Sequence, residues 1–191
     1  VLHFDSHMDN VSAGYGFWVH NANGIYMGVK KELFKGEDLV QVGMTSLGPD
    51  DGLLKWAKEA GGRWHFQAEI ERDGWVKVME RTLADVKDCE NLVVTLDIDI
   101  MDQADVPGTG GREPDGPRAQ EMMRMMRALG IQNNLVAIEI SEYNPMLDSR
   151  AYTTATVVRQ LMLHTIYGMA ARKRGITDPF YCHPDMCDYQ P

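Results

Sequence analysis

Two acidic stretches contain the residues whose types and spacing are best suited to chemistry. The first, Phe-Asp-Ser-His-Met-Asp, continues a short strand-like run and carries two carboxylates and an imidazole at every second position, so an extended backbone would project all three to one side. The second, Leu-Asp-Ile-Asp-Ile-Met-Asp, ends an apolar run, and carboxylates at the end of a buried strand are costly unless something neutralises them. The residues concerned are Asp5, His7, Asp9, Asp97 and Asp99.

Four carboxylates and one imidazole form a ligand set that suits hard or borderline divalent cations. One ion rarely takes so many anionic ligands, and structural ion pairs would need basic partners that the two stretches lack. The sequence therefore predicts a site for two divalent metal ions. Two such ions convert water into hydroxide at neutral pH and stabilise the charge that develops during hydrolysis.

The rest of the chain alternates apolar runs with helical patterns. Strands are predicted at 1–4, 39–43, 63–67, 91–96 and 135–140, and helices at 51–60, 75–86, 118–129 and 153–172. Strands that alternate with helices favour an α/β fold with parallel pairing, in which ligands bind beyond the carboxyl ends of the strands. Both acidic stretches lie at such ends. His3 has the strand parity of Asp5 and is expected to be a packed strand residue.

Residues 10–28 are rich in Gly, Asn and Ser, contain several aromatic side chains, and are predicted to form a long loop. Long loops at strand ends often carry function. Trp18, His20 and Asn21 are the candidates in this segment. Histidine is a common proton carrier near neutral pH, although an isolated loop histidine is more often an ordinary surface residue.

Composition limits the classes of function. The chain has 191 residues, 44% of them hydrophobic and 25% charged, which fits one globular domain. A formal net charge of -9 argues against nucleic acid as a partner and favours a cationic substrate. We expect no membrane association and a cytoplasmic location, because the sequence shows neither a signal peptide nor an apolar run of about 18 residues. The sequence opens on Val1 inside a strand, so we expect it to begin partway into a larger fold.

Four motifs, in order, resemble those of the ureohydrolases, the arginase and agmatinase family. The first acidic stretch is similar to the family's Asp-Ala-His-x-Asp motif. The second, followed by Val-Pro-Gly-Thr-Gly at 106–110, resembles its second signature. Ile-Ser-Glu-Tyr-Asn-Pro at 140–145 resembles its Glu-Val-Asn-Pro segment, and Gly-Thr-Gly at 108–110 with Glu-Pro at 113–114 resembles the loop of agmatinase-like members.

The resemblance implies a three-layer α/β/α sandwich with a mostly parallel sheet. Residues 1–191 would form a single ureohydrolase domain, the C-terminal portion of that fold, with its N-terminal part missing. The family's first metal-binding histidine lies in a Gly-Gly-x-His segment that would precede Val1. The resemblance also implies a homo-oligomer, a trimer or hexamer, with a hetero-oligomer as the alternative.

Carried over position by position, the resemblance assigns the metal ligands. Asp5 and Asp97 would bridge the two ions, Asp9 would bind one of them, and His7 and Asp99 would bind the other. The ions would be Mn²⁺, the usual metal of the family, or Ni²⁺, which some members use.

The resemblance also implies catalytic and substrate-binding roles. His20 matches the proton-shuttling histidine, and Glu142 matches the carboxylate that pairs with the substrate's guanidinium. Asp9 would take a proton from the metal-bridging hydroxide and pass it to the leaving amine, while Asn21 and Trp18 are candidate substrate contacts. Glu142 has a structural alternative as a helix cap or an ion-pair partner of Arg150.

Three departures from the family pattern concern the loop and the substrate tail more than the chemistry. Ser6 replaces the usual Ala, Asn21-Ala22 stands where agmatinase-like members have Gly-Thr, and Gln103 replaces the usual Pro. Residues 10–24 contain no Lys or Arg that could hold the carboxylate of an amino-acid substrate. Arginine is therefore predicted to be a poor substrate.

The function expected from the sequence is that of a dinuclear-metal hydrolase. It would cleave agmatine, guanidinobutyrate or another small guanidine to urea and an amine through a metal-bridging hydroxide. Two alternatives stay open. One is a non-catalytic ureohydrolase-like subunit that supports an active partner, and the other is a single-zinc deacetylase of the same fold, in which Asp9 and Asp99 would be surplus.

Overall fold

The computed structural model, described for residues 1–12, 17–45, 52–111 and 113–183, contains one five-stranded sheet in those residues. The strand order is β3-β2-β1-β4-β5, and every neighbouring pair is parallel. The strands are β1 (Leu2–Phe4), β2 (Val40–Val42), β3 (Arg63–His65), β4 (Leu92–Asp97) and β5 (Leu135–Ser141). All five predicted strands are thus confirmed, and the parallel pairing with them.

Six α-helices connect and flank these strands in the described part of the chain. They are α1 (Gly24–Lys30), α2 (Gly52–Glu59), α3 (Gln67–Asp73), α4 (Trp75–Val86), α5 (Ala119–Gln132) and α6 (Thr153–Lys173). The four predicted helices correspond to α2, α4, α5 and α6. None of the described helices, including the 21-residue α6, has the length and apolar character needed to cross a membrane.

The sequence did not predict α1 or α3. The prediction of a loop over residues 10–28 is wrong from Gly24 onward, because two glycines made a helical segment look like a loop. Gly28 is needed inside α1, since a Cβ there would lie 2.3 Å from Phe34 Cε1. Helix α3 has seven residues, which is too short for a clear helical repeat.

The main hydrophobic core lies on one face of the sheet. Alternate strand residues such as Leu2, Phe4 and Leu96 are fully buried there against α4, α5 and α6. Helices α5 and α6 approach each other closely at two glycines. A Cβ on Gly130 would lie 2.7 Å from the Thr165 carbonyl oxygen, and a Cβ on Gly168 would clash with the Arg127 carbonyl oxygen. This layer holds β1 and β4 side by side.

Among the described residues, helices cover only part of the opposite face of the sheet. Over β2 and β3, Leu53 and Ala57 of α2 pack with Met8 and Met44, and Trp64 packs against the same cluster. Helices on both faces confirm the predicted three-layer sandwich. Over β1, β4 and β5 the same face lines a cavity of about 1270 Å³. Its floor includes His3, Thr95 and Glu139, which are aligned across the sheet by the strand register.

Candidate metal centre

The two acidic stretches meet because β1 and β4 are neighbouring parallel strands. Phe4 pairs with Leu96, so Asp5 and Asp97 follow at the same carboxyl edge of the sheet. After Asp97 the chain forms a 3₁₀ turn over Ile98–Ile100, and the Asp97 carboxylate accepts a hydrogen bond of 2.9 Å from the Asp99 N–H. This turn brings a third carboxylate into the cavity.

The ligand atoms fall into two groups that share one residue. Side-chain atoms of His3, Asp5 and Asp9 lie within 4.8 Å of one another, and so do those of Asp5, His7 and Asp99. All the predicted metal ligands line the same cavity, and Asp97 does so without belonging to either group. The structure therefore brings the five predicted ligands together. Their roles as ligands, including the bridging role of Asp97, stay predictions.

Hydrogen bonds and ion pairs link the members of these groups. His7 Nδ1 lies 3.0 Å from Asp99 Oδ2 and 3.3 Å from Asp5 Oδ1. The His7 N–H donates to Asp5 Oδ1 at 2.7 Å, and His3 Nε2 lies 3.0 Å from Asp5 Oδ2. Both carboxylate oxygens of Asp5 are therefore held, one from the chain segment after β1 and one from within β1.

The crowding of carboxylates shows in their pKa values. Burial, with the charges of Asp5 and Asp99, raises the pKa of Asp97 to about 9. Burial and the charge of Asp5 raise the pKa of Asp9 to about 6. Hydrogen bonds to Asp5 and Asp99 raise the pKa of His7 to about 11.

Asp5 is the exception in this cluster. Burial acts to raise its pKa, but hydrogen bonds from His3 and His7 outweigh that effect and hold the pKa well below its ordinary value. One imidazolium cannot neutralise four carboxylates in a mostly buried pocket, so the donor set fits divalent cations.

Two of the predicted catalytic carboxylates have left-handed backbone conformations. Asp9 has φ of 50° and Glu142 has φ of 61°. Such conformations are strained in residues other than glycine and are concentrated at functional sites. Both residues line the cavity.

Glu142 lines the cavity and takes neither of its structural alternatives. It forms no ion pair with Arg150 among the described residues. The first turn of α6 is capped by Asp148, whose two oxygens accept hydrogen bonds from Thr154 N–H at 3.0 Å and Ala155 N–H at 3.1 Å. The charge of Glu142 contributes to the raised pKa of Asp97 after burial and the two nearer carboxylates, so it lies within electrostatic reach of the cluster.

Two of the four predicted substrate contacts line the cavity in the structure, and the other two do not. Asn21 and Glu142 line the cavity, whereas Trp18 and His20, both described, are not among its lining residues. Trp18 is 67% exposed. Trp18 and His20 are nevertheless both hydrogen-bonded to the buried Asn23, which accepts a hydrogen bond from the His20 N–H and donates one to the Trp18 carbonyl. The predicted roles of His20 and Trp18 therefore stay predictions.

Sequence reasoning missed several residues that shape the site. Gln41 is a fully buried polar side chain next to His3, the equally buried Asn10 is hydrogen-bonded to Gln41, and Asn23 fixes the turn before α1. Gly111 approaches the ligands closely, since a Cβ there would lie 2.7 Å from Asp99 Oδ2. The signal for Gln41 is a polar residue in the middle of a predicted buried strand.

A parallel α/β sandwich with a carboxylate-rich pocket at the carboxyl edge of its sheet is the architecture of the arginase fold. The model of the Arginase family matches residues 1–168. The chain therefore belongs to the Arginase family.

Relatives with known names agree with this membership. Formimidoylglutamase from Bacillus subtilis (strain 168) is 26% identical over 170 residues, which are 88% of this chain and 53% of that protein. Its crystal structure superposes with a TM-score of 0.80 at 25% identity and covers 88% of this chain and 52% of that one. Arginase from the same organism is 35% identical over 124 residues, 65% of this chain and 41% of that protein.

A third relative is proclavaminate amidinohydrolase from Streptomyces clavuligerus. Its structure has a TM-score of 0.80 at 25% identity, and the match covers 90% of this chain and 56% of that one. The chain spans about half the length of the curated relatives it matches.

Proposed function

We propose that this protein is a ureohydrolase that cleaves a C–N bond of a small guanidino compound to give urea and an amine. Two divalent ions would be held by Asp5, His7, Asp9, Asp97 and Asp99. The observation that carries the proposal is that ligand atoms of Asp5 lie within 4.8 Å of those of Asp9 in one group and of His7 and Asp99 in the other. Membership of the Arginase family supports the same chemistry.

The two alternatives fit the site less well. In a single-zinc deacetylase Asp9 and Asp99 would be surplus, yet each belongs to its own ligand group with Asp5. A non-catalytic subunit would have no need for strained, cavity-lining carboxylates at Asp9 and Glu142. We therefore propose an active enzyme that binds two metal ions.

We propose Mn²⁺ as the metal, with Ni²⁺ as the alternative, because carboxylate oxygens outnumber imidazole nitrogens in the donor set. When bound, the ions would supply a nucleophilic water at neutral pH and electrostatic stabilisation of developing charge. His7 must lose its proton to bind metal, so metal uptake should release protons.

The protein's own residues would bind the substrate and move the protons. The Glu142 carboxylate would hold the planar guanidinium through paired hydrogen bonds. Asp9, which also lines the cavity, would accept a proton from the attacking water and return it to the leaving amine. His20 would exchange that proton with solvent, since it lies next to the cavity-lining Asn21.

The charge of the cavity supports a guanidine with a neutral or cationic tail, the agmatinase-like specificity. Arg63 is the one Lys or Arg among the described lining residues, and it is paired with Asp85 at 3.1 Å. The lining carboxylates at the carboxyl edge of the sheet are Asp5, Asp9, Asp97, Asp99 and Glu142. A carboxylate tail, such as that of arginine, 4-guanidinobutyrate or formimidoylglutamate, would find no unpaired Lys or Arg among these described lining residues.

Assembly and location stay predictions. We propose a homo-oligomer, a trimer or hexamer, on the strength of the apolar side chains that α6 exposes, among them Ile166 at 54% and Tyr167 at 56%. Light scattering coupled to size-exclusion chromatography would measure its mass.

The proposed function is tested by kinetics on a substrate panel. The Mn²⁺-loaded and Ni²⁺-loaded protein would be assayed for urea release from agmatine, 4-guanidinobutyrate and arginine, and for cleavage of formimidoylglutamate. We expect kcat/KM to be at least about tenfold higher for agmatine than for arginine or 4-guanidinobutyrate, which both carry a carboxylate. A ratio that favours arginine would contradict the proposed tail preference. Cleavage of formimidoylglutamate alone would contradict the guanidino substrate class.

A pair of variants adds a matched control to that assay. Glu142→Gln removes the proposed guanidinium partner and should reduce kcat/KM by about 10² or more. Glu139→Gln changes another carboxylate of the cavity, which is bonded to Thr95 at 2.5 Å, and should have little effect. Equal activity of the two variants would remove Glu142 from the proposed role.

A further inference from the structure

A chain of buried polar side chains lies directly behind Asp5. It consists of His3, Gln41 and Asn10, which are respectively 4%, 1% and 1% exposed. His3 was expected to be a packed strand residue, and it is buried as expected. Its two ring nitrogens, however, both have polar neighbours, Asp5 on one side and Gln41 on the other.

The direction of the hydrogen bonds in this chain is fixed by a backbone carbonyl. Gln41 Nε2 donates to the Met8 carbonyl oxygen at 2.7 Å, and a carbonyl can only accept. This sets the orientation of the Gln41 amide. Gln41 Oε1 then accepts a hydrogen bond of 3.1 Å from Asn10 Nδ2, as the same orientation requires.

The orientation of Gln41 determines the state of His3. Gln41 Nε2 also lies 3.1 Å from His3 Nδ1, so Nδ1 must accept the hydrogen bond. A neutral imidazole has one donor and one acceptor nitrogen, which leaves the proton on Nε2. His3 Nε2–H therefore faces Asp5 Oδ2, 3.0 Å away.

We infer that His3 is a positioning residue that holds Asp5 through Nε2–H, with Gln41 and Asn10 fixing its tautomer, and that it is not a metal ligand. Proximity alone would allow ligation, because a ring nitrogen of His3 lies within 4.8 Å of the ligand atoms of Asp5 and Asp9. A nitrogen that carries a proton has no lone pair to give to an ion. The role of Asp5 as a ligand rests on the proposed function, whereas the tautomer of His3 does not.

The position of Asp5 gives this contact its importance. Asp5 belongs to both ligand groups, so its orientation affects both ions. Its Oδ1 is held by the His7 N–H at 2.7 Å, and His3 holds its Oδ2. Loss of a hydrogen-bond partner behind a metal ligand typically lowers metal affinity by about 10- to 100-fold.

The first test measures the tautomer directly by ¹⁵N NMR of the histidine rings in the metal-free 191-residue protein. We expect His3 to give the pattern of an Nε2–H tautomer. The protein would then be loaded with ¹¹³Cd²⁺, and coupling to ¹⁵N is expected at His7 and not at His3. An Nδ1–H tautomer, or cadmium coupling at His3, would overturn the inference. Failure to bind cadmium at all would count against the proposed function and leave the tautomer result intact.

The second test uses two substitutions with opposite donor capacity. His3→Gln places an amide donor near the position of Nε2, and His3→Leu places none. Metal titration should give about two ions per chain at saturation for both variants, with affinity lowered by about 10- to 100-fold in His3→Leu and largely restored in His3→Gln. Loss of one ion from both variants would show that His3 is a ligand. Unchanged affinity in a folded His3→Leu would overturn the positioning role, and the NMR measurement decides the question should that variant not fold.

Discussion

The Ser6 hydroxyl donates a hydrogen bond of 2.7 Å to Asp99 Oδ1 and lies 3.1 Å from His7 Nδ1. Ser6 is 1% exposed, and its backbone N–H donates to the same Asp99 oxygen at 3.1 Å. This is the position at which the sequence departs from the Ala of the family motif. The departure therefore adds a hydroxyl between two predicted metal ligands.

Removal of this hydroxyl should weaken metal binding without abolishing it. Ser6→Ala is expected to lower affinity for the ion held by His7 and Asp99 about tenfold, because the Ser6 N–H still orients Asp99. Isothermal titration with Mn²⁺ measures the change. Thr95→Val, which removes a cavity hydroxyl bonded to Glu139, is the control and should bind as the unmodified protein does. Equal affinities for Ser6→Ala and the control would contradict the role given to Ser6.

Gly111 and Gly110 offer a second pair of substitutions. A Cβ at Gly111 would lie 2.7 Å from Asp99 Oδ2 and 3.1 Å from His7 Cε1, whereas one at Gly110 would meet nothing within 4 Å. Gly111→Ala should displace these ligands and reduce metal affinity by about 10-fold or more, and Gly110→Ala should not. Metal content after dialysis compares the two. Similar losses in both variants would show that the loop and not the ligand contact is responsible.

His20 is expected to act in proton transfer and not in metal binding. His20→Asn should lower kcat by about 10² to 10⁴ while leaving the metal content unchanged. Steady-state kinetics together with metal analysis of the same sample provide the measurement. Unchanged turnover would make His20 a loop residue, and loss of metal would assign it a different role.

Asp148 caps α6 and should contribute to stability in a pH-dependent way. Burial acts to raise its pKa, but hydrogen bonds from the N–H groups of Thr154, Ala155 and Ser149 outweigh it, and the pKa lies below its ordinary value. A lowered pKa in the folded state adds stability above the unfolded pKa of about 3.9, and this stability is lost as the pH falls through the folded pKa.

The corresponding variant is Asp148→Ala. Its free energy of unfolding at neutral pH should be about 1 kcal/mol lower than that of the unmodified protein, and the difference should shrink as the pH falls below the unfolded pKa of about 3.9. Urea denaturation at several pH values measures it, with the exposed Asp88→Ala as control. A difference that persists unchanged into acid would contradict capping by the charged carboxylate.

Apolar periodicity predicted most of the fold, because it reflects burial. The methionine-rich stripe of α5 is fully buried, as at Met122, Met125 and Met126, and each strand-like run became a strand. Helix α1 could not be predicted, since Gly28 looks like a helix breaker in sequence. Only the packed position of Phe34 shows why glycine is required there.

The metal ligands could be predicted from the sequence because they follow two apolar runs that form neighbouring strands. The hydrogen bonds that hold these ligands in place could not be predicted. His3 meets Gln41 only through the register of β1 and β2, which sets residues 38 positions apart beside each other. Ser6 and Asp99, 93 positions apart, depend likewise on the pairing of β1 with β4. Long-range pairs of this kind leave no periodic pattern in the sequence.

The central claim, a two-metal centre shared through Asp5 and completed by Asp97, is tested most directly by metal analysis of the unmodified protein and of Asp97→Ala. After loading with Mn²⁺ and removal of excess metal, plasma mass spectrometry should find about two ions per chain in the unmodified protein. Asp97→Ala should retain fewer, because each ion would lose a ligand. Two tightly bound ions in Asp97→Ala, or no more than one ion in the unmodified protein, would contradict the two-metal centre.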